Sequence, residues 1–267
     1  MRVPPVLLST SSCYPASTES AFADAARLGY DGMEVMVWKW PETRDPGRLL
    51  AFAGTYGVPV LAIHSPTLLL TQRVWGADAW GKIDRSVELA EAVGAEVVVV
   101  HPPFRWQREY AAGFVEGIAR RQAATEVRIA VENMFPWKAR AKDGSRTKER
   151  HAYLPHWDPV SLGYEHVTLD LSHAGIAGQD PLAMAHALGP RLAHIHLTDS
   201  TGSNRDEHLA PGRGRQPCRE LLAALPELGF TGSIAVEVTT RKMKPAERER
   251  ALAESLAFAR EHMPSFT

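Results

Sequence analysis

Nine side chains able to bind a metal ion recur along the sequence: His64, His101, Glu132, Asp170, His173, His196, Asp206, His208 and Glu237. Imidazole nitrogens and carboxylate oxygens together suit divalent ions such as Zn2+, Mn2+ and Mg2+. Several of the nine close a short apolar run, as in Val58-Pro-Val-Leu-Ala-Ile-His64, Val97-Val-Val-Val-His101, Val127-Arg-Ile-Ala-Val-Glu132 and Ile234-Ala-Val-Glu237. An ionisable group at the tip of an apolar strand is costly to bury alone, so a shared charge partner is expected where these tips meet. Glu132, Asp170, His196 and Glu237 by themselves make up one mixed oxygen and nitrogen site. His64 and His101, bridged by Glu132, offer a second pole. Asp170-Leu-Ser-His173 and Asp206-Glu-His208 offer a third, richer in imidazole, which points toward zinc.

Two chemistries fit such residues. Clustered ions can bind the oxygens of a phosphoester, generate a hydroxide that attacks phosphorus in line, and stabilise the leaving oxygen. Alternatively, one ion holds adjacent oxygens of a ketose or aldose while Glu132 or Glu237 removes the proton beside the carbonyl. His173, Asp206 and His208 have an evident role only in the first scheme.

The tips recur because strand and helix patterns alternate from end to end. Continuous Val, Ile and Leu runs suit strands covered on both faces, which are usually parallel. Strands are predicted near Pro5 to Ser9, from Gly32 to Val37, from Val58, from Glu96 to His101, from Val127 to Glu132, from His166 to Leu171, from Leu192 to Leu197 and from Ser233 to Val238. Helices are predicted between an N-cap at Ser17 and a stop at Gly29, then near Pro46 to Tyr56, Ile83 to Val93, Tyr110 to Ala123, Pro181 to Leu188, Pro217 to Leu225 and Pro245 to His262. A segment from Asn133 to about Tyr164 carries few periodic apolar positions and reads as an irregular loop insertion, functional or mobile. Eight units in 267 residues come to about 33 each, the rhythm of a single-domain α/β (β/α)8 TIM barrel spanning residues 1–267. In such barrels the active site lies at the C-terminal ends of the strands, where these tips fall.

With that order of motifs the chain resembles the xylose isomerase-like TIM barrels, which include endonuclease IV, AP endonuclease family 2, and many sugar isomerases and epimerases. The resemblance spans nearly the whole chain and rests on His64-Ser-Pro-Thr-Leu, Val100-His101-Pro, Ala130-Val-Glu132-Asn133, Leu169-Asp170-Leu-Ser-His173-Ala, His196-Leu-Thr-Asp199-Ser, Asp206-Glu-His208-Leu-Ala-Pro-Gly212-Arg-Gly214 and Val236-Glu237-Val. It implies two nested ligand sets. The endonuclease branch holds up to three zinc ions: His64 and His101 with bridging Glu132, then Asp170, His196 and Glu237 with the same glutamate, then His173, Asp206 and His208. The isomerase and epimerase branch holds one divalent ion, Mn2+ or Mg2+ in type, on Glu132, Asp170, His196 and Glu237.

Departures also matter. Thr67 stands where the DNA repair branch places an aromatic residue, and the second-strand loop reads Trp38-Lys-Trp-Pro-Glu, so residues for DNA insertion are not evident. Glu34 in Gly32-Met-Glu-Val resembles the sugar isomerase branch. The first expectation is therefore metal-dependent phosphoester hydrolysis on a small phosphorylated sugar or nucleotide, with abasic DNA admitted but not favoured. The alternative is a sugar or sugar-phosphate isomerase or epimerase with Glu132 and Glu237 as acid and base.

A formal net charge of -1 gives no global pull toward nucleic acid or membrane, so any anion-binding surface must be local. Lys138, Arg140, Lys142, Arg146, Lys148 and Arg150 after Glu132, with Arg105 and Arg108 after His101, would make the mouth basic; a solvated loop explains them about as well. All seven tryptophans follow strand ends, where packing accounts for most of them. Arg105, Arg108, Arg213, Trp38 and Trp106 are the expected substrate contacts. Asn133 and Asp199 adjoin ligands and are expected to orient them. Gly212-Arg-Gly214 reads better as a tight turn than as a phosphate cradle. His194 shares a strand face with His196 one layer deeper, which suits a structural hydrogen bond.

Cys13 and Cys218 form no metal or redox pattern and are read as reduced thiols. The proline-interrupted N-terminus lacks the features of a secretory signal and no apolar run is long enough for a span, so a cytoplasmic protein without membrane partners is expected by default. Nothing in the outer helices fixes the oligomeric state.

Overall fold

The first helix begins where Ser17 Oγ accepts from the Ser20 amide and ends where Gly29 turns left-handed at φ 87°. Similar signals punctuate the rest. Asp45, Asp78 and Asp180 cap later helices, and Gly57, Gly94 and Gly178 end helices in the same left-handed conformation. The computed structural model describes residues 3–66, 71, 73–140 and 147–264.

The elements alternate throughout: β1 (Val6–Ser9), α1 (Thr18–Leu28), β2 (Gly32–Met36), α2 (Pro46–Tyr56), β3 (Val60–His64), α3 (Ala79–Val93), β4 (Val97–Val100), α4 (Arg108–Ala112), α5 (Phe114–Gln122) and β5 (Arg128–Glu132). A hairpin of β6 (Trp137–Arg140) and β7 (Thr147–Arg150) follows. The second half adds β8 (His166–Asp170), α6 (Leu171–Ala177), α7 (Pro181–Leu188), β9 (Leu192–Leu197), α8 (Cys218–Ala224), β10 (Ser233–Val236) and α9 (Pro245–His262). Eight parallel strands close into a barrel in the order β1-β10-β9-β8-β5-β4-β3-β2, the TIM-barrel architecture expected from the sequence.

Strand alternation decides what the barrel points at the site. One set of side chains, including Val98, Val100, Ile129, Val131, Val167, Leu169, Ile195, Ile234 and Val236, packs outward against the helices in the main core. The other set faces inward, where Leu7, Ala62, Val97, Val99, Ala130 and Ala235 belong to a separate small cluster. Side chains two residues apart share a face. Two residues beyond Ala62, Val99, Ala130 and Ala235 come His64, His101, Glu132 and Glu237, so the inward parity carries these groups to the C-terminal rim. The alanines leave room inside the barrel for polar groups. Glu34, Thr168 and His194 are fully buried there, where branched apolar residues are more usual.

The structure departs from the sequence expectations at three places. The stretch after Glu132 contains the antiparallel β6–β7 ribbon, with Trp137 opposite Arg150. The helix expected near Tyr110 to Ala123 divides into α4 and α5 at Gly113. An additional seven-residue helix, α6, starts directly at Asp170. Among the described residues, no helix is long and apolar enough to cross a membrane.

Candidate metal centre

Glu132, at the end of β5, occupies the middle of the site and is almost fully buried. Its Oε2 lies 2.8 Å from His101 Nε2 and 3.4 Å from His64 Nε2; its Oε1 lies 3.1 Å from His173 Nδ1 and 3.4 Å from His196 Nδ1. His196 Nδ1 in turn lies 2.9 Å from Glu237 Oε2 and 3.6 Å from Asp170 Oδ2. Four strands thus bring Glu132, Asp170, His196 and Glu237 to one point. Toward the rim, Asp206 joins two imidazoles, 2.9 Å from His208 Nε2 and 3.5 Å from His173 Nε2. All nine residues singled out from the sequence therefore meet in one continuous cluster.

Backbone acceptors set the imidazole tautomers. His64 Nδ1 lies 3.1 Å from the Ser65 carbonyl, His173 Nδ1 2.9 Å from the Asn133 carbonyl and His208 Nδ1 3.0 Å from the Glu237 carbonyl. Donation there leaves Nε2 as the ligand nitrogen of each ring. His196 is turned the other way. Its Nε2 donates to Glu34 Oε2 at 3.0 Å, so Nδ1 faces the carboxylates, the arrangement by which a carboxylate behind a histidine fixes its orientation and raises its basicity. The same Glu34 oxygen accepts from His194 Nε2 at 2.9 Å, and His194 Nδ1 meets Ser233 Oγ at 2.8 Å. A line of buried hydrogen bonds thereby runs down the barrel axis from His196 to Ser233.

Asp170 has two tasks, one per oxygen. Oδ1 caps α6 by accepting from the His173 amide at 2.8 Å and also accepts from Thr198 Oγ1 at 3.2 Å. Oδ2 is buried without a hydrogen-bond partner, and Glu132 Oε2, His196 Nδ1 and His208 Nε2, although each faces an imidazole or a carboxylate, are buried without an aligned hydrogen bond. Buried polar atoms are rarely left unsatisfied. Four such atoms, facing one another across groups of donors that lie within 4.8 Å, fit divalent ions. Glu132, Asp170, His196 and Glu237 would hold one, with His64, His101, His173, Asp206 and His208 offering further donors.

The charges reinforce this reading. Burial disfavours ionisation of Glu132, but the neighbouring His101 and His196 outweigh it and hold the carboxyl well below its usual range. Burial likewise opposes ionisation of Glu237, and the charge and hydrogen bond of His196 bring it down to about 2. On the basic side, burial is outweighed at His196 by Glu237, Glu34 and Glu132, which hold the ring well above its ordinary value. At His208, Asp206 and then Asp170 outweigh burial and push it up to about 10. Without an ion, protons take its place among the carboxylates.

The remaining expected residues divide. Asn133 exchanges two hydrogen bonds with the Asp170 backbone, accepting at 2.6 Å and donating at 3.0 Å, and so locks β5 to β8 beneath the site. Asp199 touches no ligand. Its carboxylate accepts from the amides of Ser200, Gly212, Gly214 and Gln216, and its backbone pairs with Leu209, pinning the loop that carries His208. The Gly212 to Gly214 turn is thus already filled by a carboxylate, and a Cβ on Gly214 would fall 2.3 Å from Asp199 Oδ1.

Arg213, expected at the substrate, instead pairs with Glu254 on the outer helix α9 at 2.8 Å. Trp106 stacks on Phe104 at 4.6 Å and neighbours Trp137, a packing role beside the hairpin. Arg105 and Arg108 are exposed and do not line the cavity described next. Thr67, Lys142 and Arg146 lie outside the described residues, and Lys138, Arg140, Lys148 and Arg150 fall on the strands of the ribbon.

Trp38 does line a cavity of about 590 Å³, open at Glu237, Asp206 and His208 and extending over the adjacent strand ends of β10, β1 and β2. At its inner edge Ser11 Oγ donates to Glu237 Oε1 at 2.9 Å and meets Ser9 Oγ at 2.9 Å. The sequence reading noted Glu34 only for its resemblance to the sugar isomerase branch and gave it no role at the site, and Ser11 gave no signal.

A family model described as the xylose isomerase-like TIM barrel matches residues 22–262. A Mycobacterium tuberculosis protein, Rv0498, is 48% identical over 270 residues covering 96% of each chain. Fructoselysine 3-epimerase of Shigella flexneri is 23% identical over 250 residues, 84% of this chain and 86% of its own. Among solved structures, D-psicose 3-epimerase of Clostridium cellulolyticum superposes with a TM-score of 0.69 at 15% identity, covering 98% of this chain and 100% of that one. An AP endonuclease, family 2, of Brucella melitensis superposes with a TM-score of 0.70 at 15% identity, covering 96% and 99%.

Proposed function

The chain belongs to the xylose isomerase-like TIM-barrel family of enzymes, and from that premise we propose that it is a divalent-metal-dependent sugar epimerase or isomerase. The observation that carries this reading is the convergence of two carboxylates, Glu132 Oε1 and Glu237 Oε2, on the single nitrogen His196 Nδ1, at 3.4 and 2.9 Å. Two carboxylates facing one reacting carbon are what proton removal from one side and return from the other require. The relation to fructoselysine 3-epimerase supports the same class.

A divalent ion on Glu132, Asp170, His196 and Glu237 supplies polarisation of the substrate carbonyl, which acidifies the neighbouring C–H. Three carboxylates to one imidazole favour a Mn2+-type ion over zinc. Ser11 holds Glu237 Oε1 and so directs Oε2 toward the site. His64 and His101 gather at Glu132 Oε2, which leaves Oε1 as the proton-handling oxygen.

Phosphoester hydrolysis, the first expectation from the sequence, has weaker support. Of the cations expected at a basic mouth, Arg105 and Arg108 are not among the residues lining the cavity, and Arg213, an expected substrate contact, pairs with Glu254 on α9. Metal-loaded protein incubated with a panel of ketoses in deuterated water should incorporate deuterium beside the carbonyl, and Glu132→Gln and Glu237→Gln should abolish it. Release of phosphate from esters with no exchange in any ketose would overturn the assignment.

A further inference from the structure

The cavity is larger than a sugar needs. At about 590 Å³ it lies well within the roughly 300–1,000 Å³ range of pockets that enclose drug-sized ligands, whereas a free hexose fills only part of it. Its ends differ in chemistry. One end holds Glu237, Asp206 and His208 of the candidate metal centre; the other, or outer, end carries Tyr14, Trp38, Trp40 and Arg241.

The outer side chains pack against one another as an aromatic cluster with a cation beside it. Tyr14 and Trp40 stack with centroids 5.9 Å apart at 22°, Trp38 tilts against Tyr14 at 6.3 Å, and the Arg241 guanidinium lies 5.3 Å from the Tyr14 centroid. Trp38 Nε1 is buried without a hydrogen-bond partner. Among the described residues, Arg241 has no carboxylate or carbonyl partner, so its charge is held at the cavity rim by the aromatic face alone. Hydroxyls in the lining beside the candidate metal centre, Ser11 and Thr239 among them, suit a sugar, whereas the aromatic planes at the other end are suited to a flat apolar group.

We propose that the substrate is a conjugated sugar, in which a planar apolar group bearing a negative charge is joined to the reacting ketose and occupies this outer chamber. The proposal rests on the epimerase or isomerase reading for the sugar end only. The sugar lies at Glu132 and Glu237, the planar group lies along Tyr14 and Trp40, and Arg241 meets the anion.

Three matched ligands test it by calorimetric titration of the metal-loaded protein: the methylamino, phenylamino and 4-carboxyphenylamino derivatives of 1-deoxy-D-fructose. Burying one phenyl ring predicts binding about 30-fold tighter for phenylamino than for methylamino, and the added carboxylate a further tightening of about 5-fold. Trp40→Ala should bring the phenylamino-to-methylamino ratio close to one, and Arg241→Gln should remove only the carboxylate increment. Equal affinities of the three ligands for wild-type protein would overturn the proposal without any variant being needed. An equal loss for methylamino and phenylamino ligands in Trp40→Ala would also overturn it, by placing the sugar itself on the aromatic wall. Deuterium exchange on the same ligands separates the two readings: tight phenylamino binding without exchange keeps the chamber and removes the epimerase assignment, whereas exchange with equal affinities does the reverse.

Discussion

Replacing Glu34 by glutamine tests whether the metal centre depends on a group that never touches the ion. Glu34 Oε2 accepts from both His194 and His196, and its other oxygen, Oε1, is buried with no partner. If the glutamine oxygen takes the place of Oε2, both imidazoles keep their tautomers, but the new amide group fills the Oε1 position as an unsatisfied donor. That costs about 1–3 kcal/mol of folding stability. The negative charge behind His196 is lost as well, and with it much of the basicity of Nδ1. Losses of this kind lower metal affinity about 10- to 100-fold, or about 1.4–2.7 kcal/mol. If the amide turns the other way, His196 must present a protonated Nδ1 to the carboxylates, and affinity falls further. Chelator competition for Mn2+, run beside thermal unfolding of metal-free protein, separates the terms. A Mn2+ dissociation constant within twofold of wild type, together with a lowered Tm, would refute the argument by making Glu34 a purely structural residue.

Other outcomes follow from the same geometry. Asp170→Asn keeps a good helix cap but loses the ligand oxygen, so metal affinity should fall at least about 100-fold with little change in the metal-free Tm, whereas Asp170→Ala should also lose about 1 kcal/mol of stability, read by chemical denaturation. Because neighbouring carboxylates raise His196 well above its ordinary value and push His208 up to about 10, loading the core site at pH 7 should release about one proton per ion, measured by calorimetry in buffers of different ionisation enthalpy; buffer-independent heats would contradict this. In metal-free protein the raised pKa of His208 gives stability that is complete below about 6.5 and lost as pH rises to about 10, while the depressed pKa of Glu237 gives stability present above about 4.5 and lost as pH falls toward about 2; Tm against pH should decline on both sides, and a flat profile would count against it. Ser11→Ala removes the donor to Glu237 Oε1, so kcat should drop about tenfold and the acidic limb of its pH profile move upward, with metal affinity unchanged by chelator competition.

The barrel and the ligand cluster could be read from the sequence for the same reason. A polar residue ending an apolar strand is a local signal, and parity fixes its direction, so His64, Glu132, Asp170, His196 and Glu237 were visible without knowledge of any contact. Helix α6 was not visible because Leu171 through Ile176 are all buried, leaving no polar face to produce a helical period. In the β6–β7 ribbon only Trp137 and Ala139 alternate with charged residues, over a single four-residue strand, and β7 (Thr147–Arg150) has no apolar residue, so strand patterning had little to register. Pairings between distant segments were also out of reach. Glu34 and His196 are separated by 162 residues, and Arg213 finds its partner Glu254 only when α9 packs back on the barrel. Aromatic residues near strand ends could be counted, but which of them wall a cavity depends on loop paths: Trp38 does, and Trp106 does not.

Barrels of this kind usually separate their concerns, keeping rigidity at the lower end and reactivity at the upper, so that each can change without the other. The file of Ser233, His194, Glu34 and His196 joins the two ends. Ser233 borders a small hollow of about 90 Å³ at the floor, beside Pro5, Leu61 and Glu96, yet it is three hydrogen bonds from the ion-binding nitrogen ring. On the proposed function, substitutions on the underside of this molecule would reach the reaction electrostatically, and a designer who exchanges loops on top while redesigning the base for stability would need to treat that axis as part of the active site.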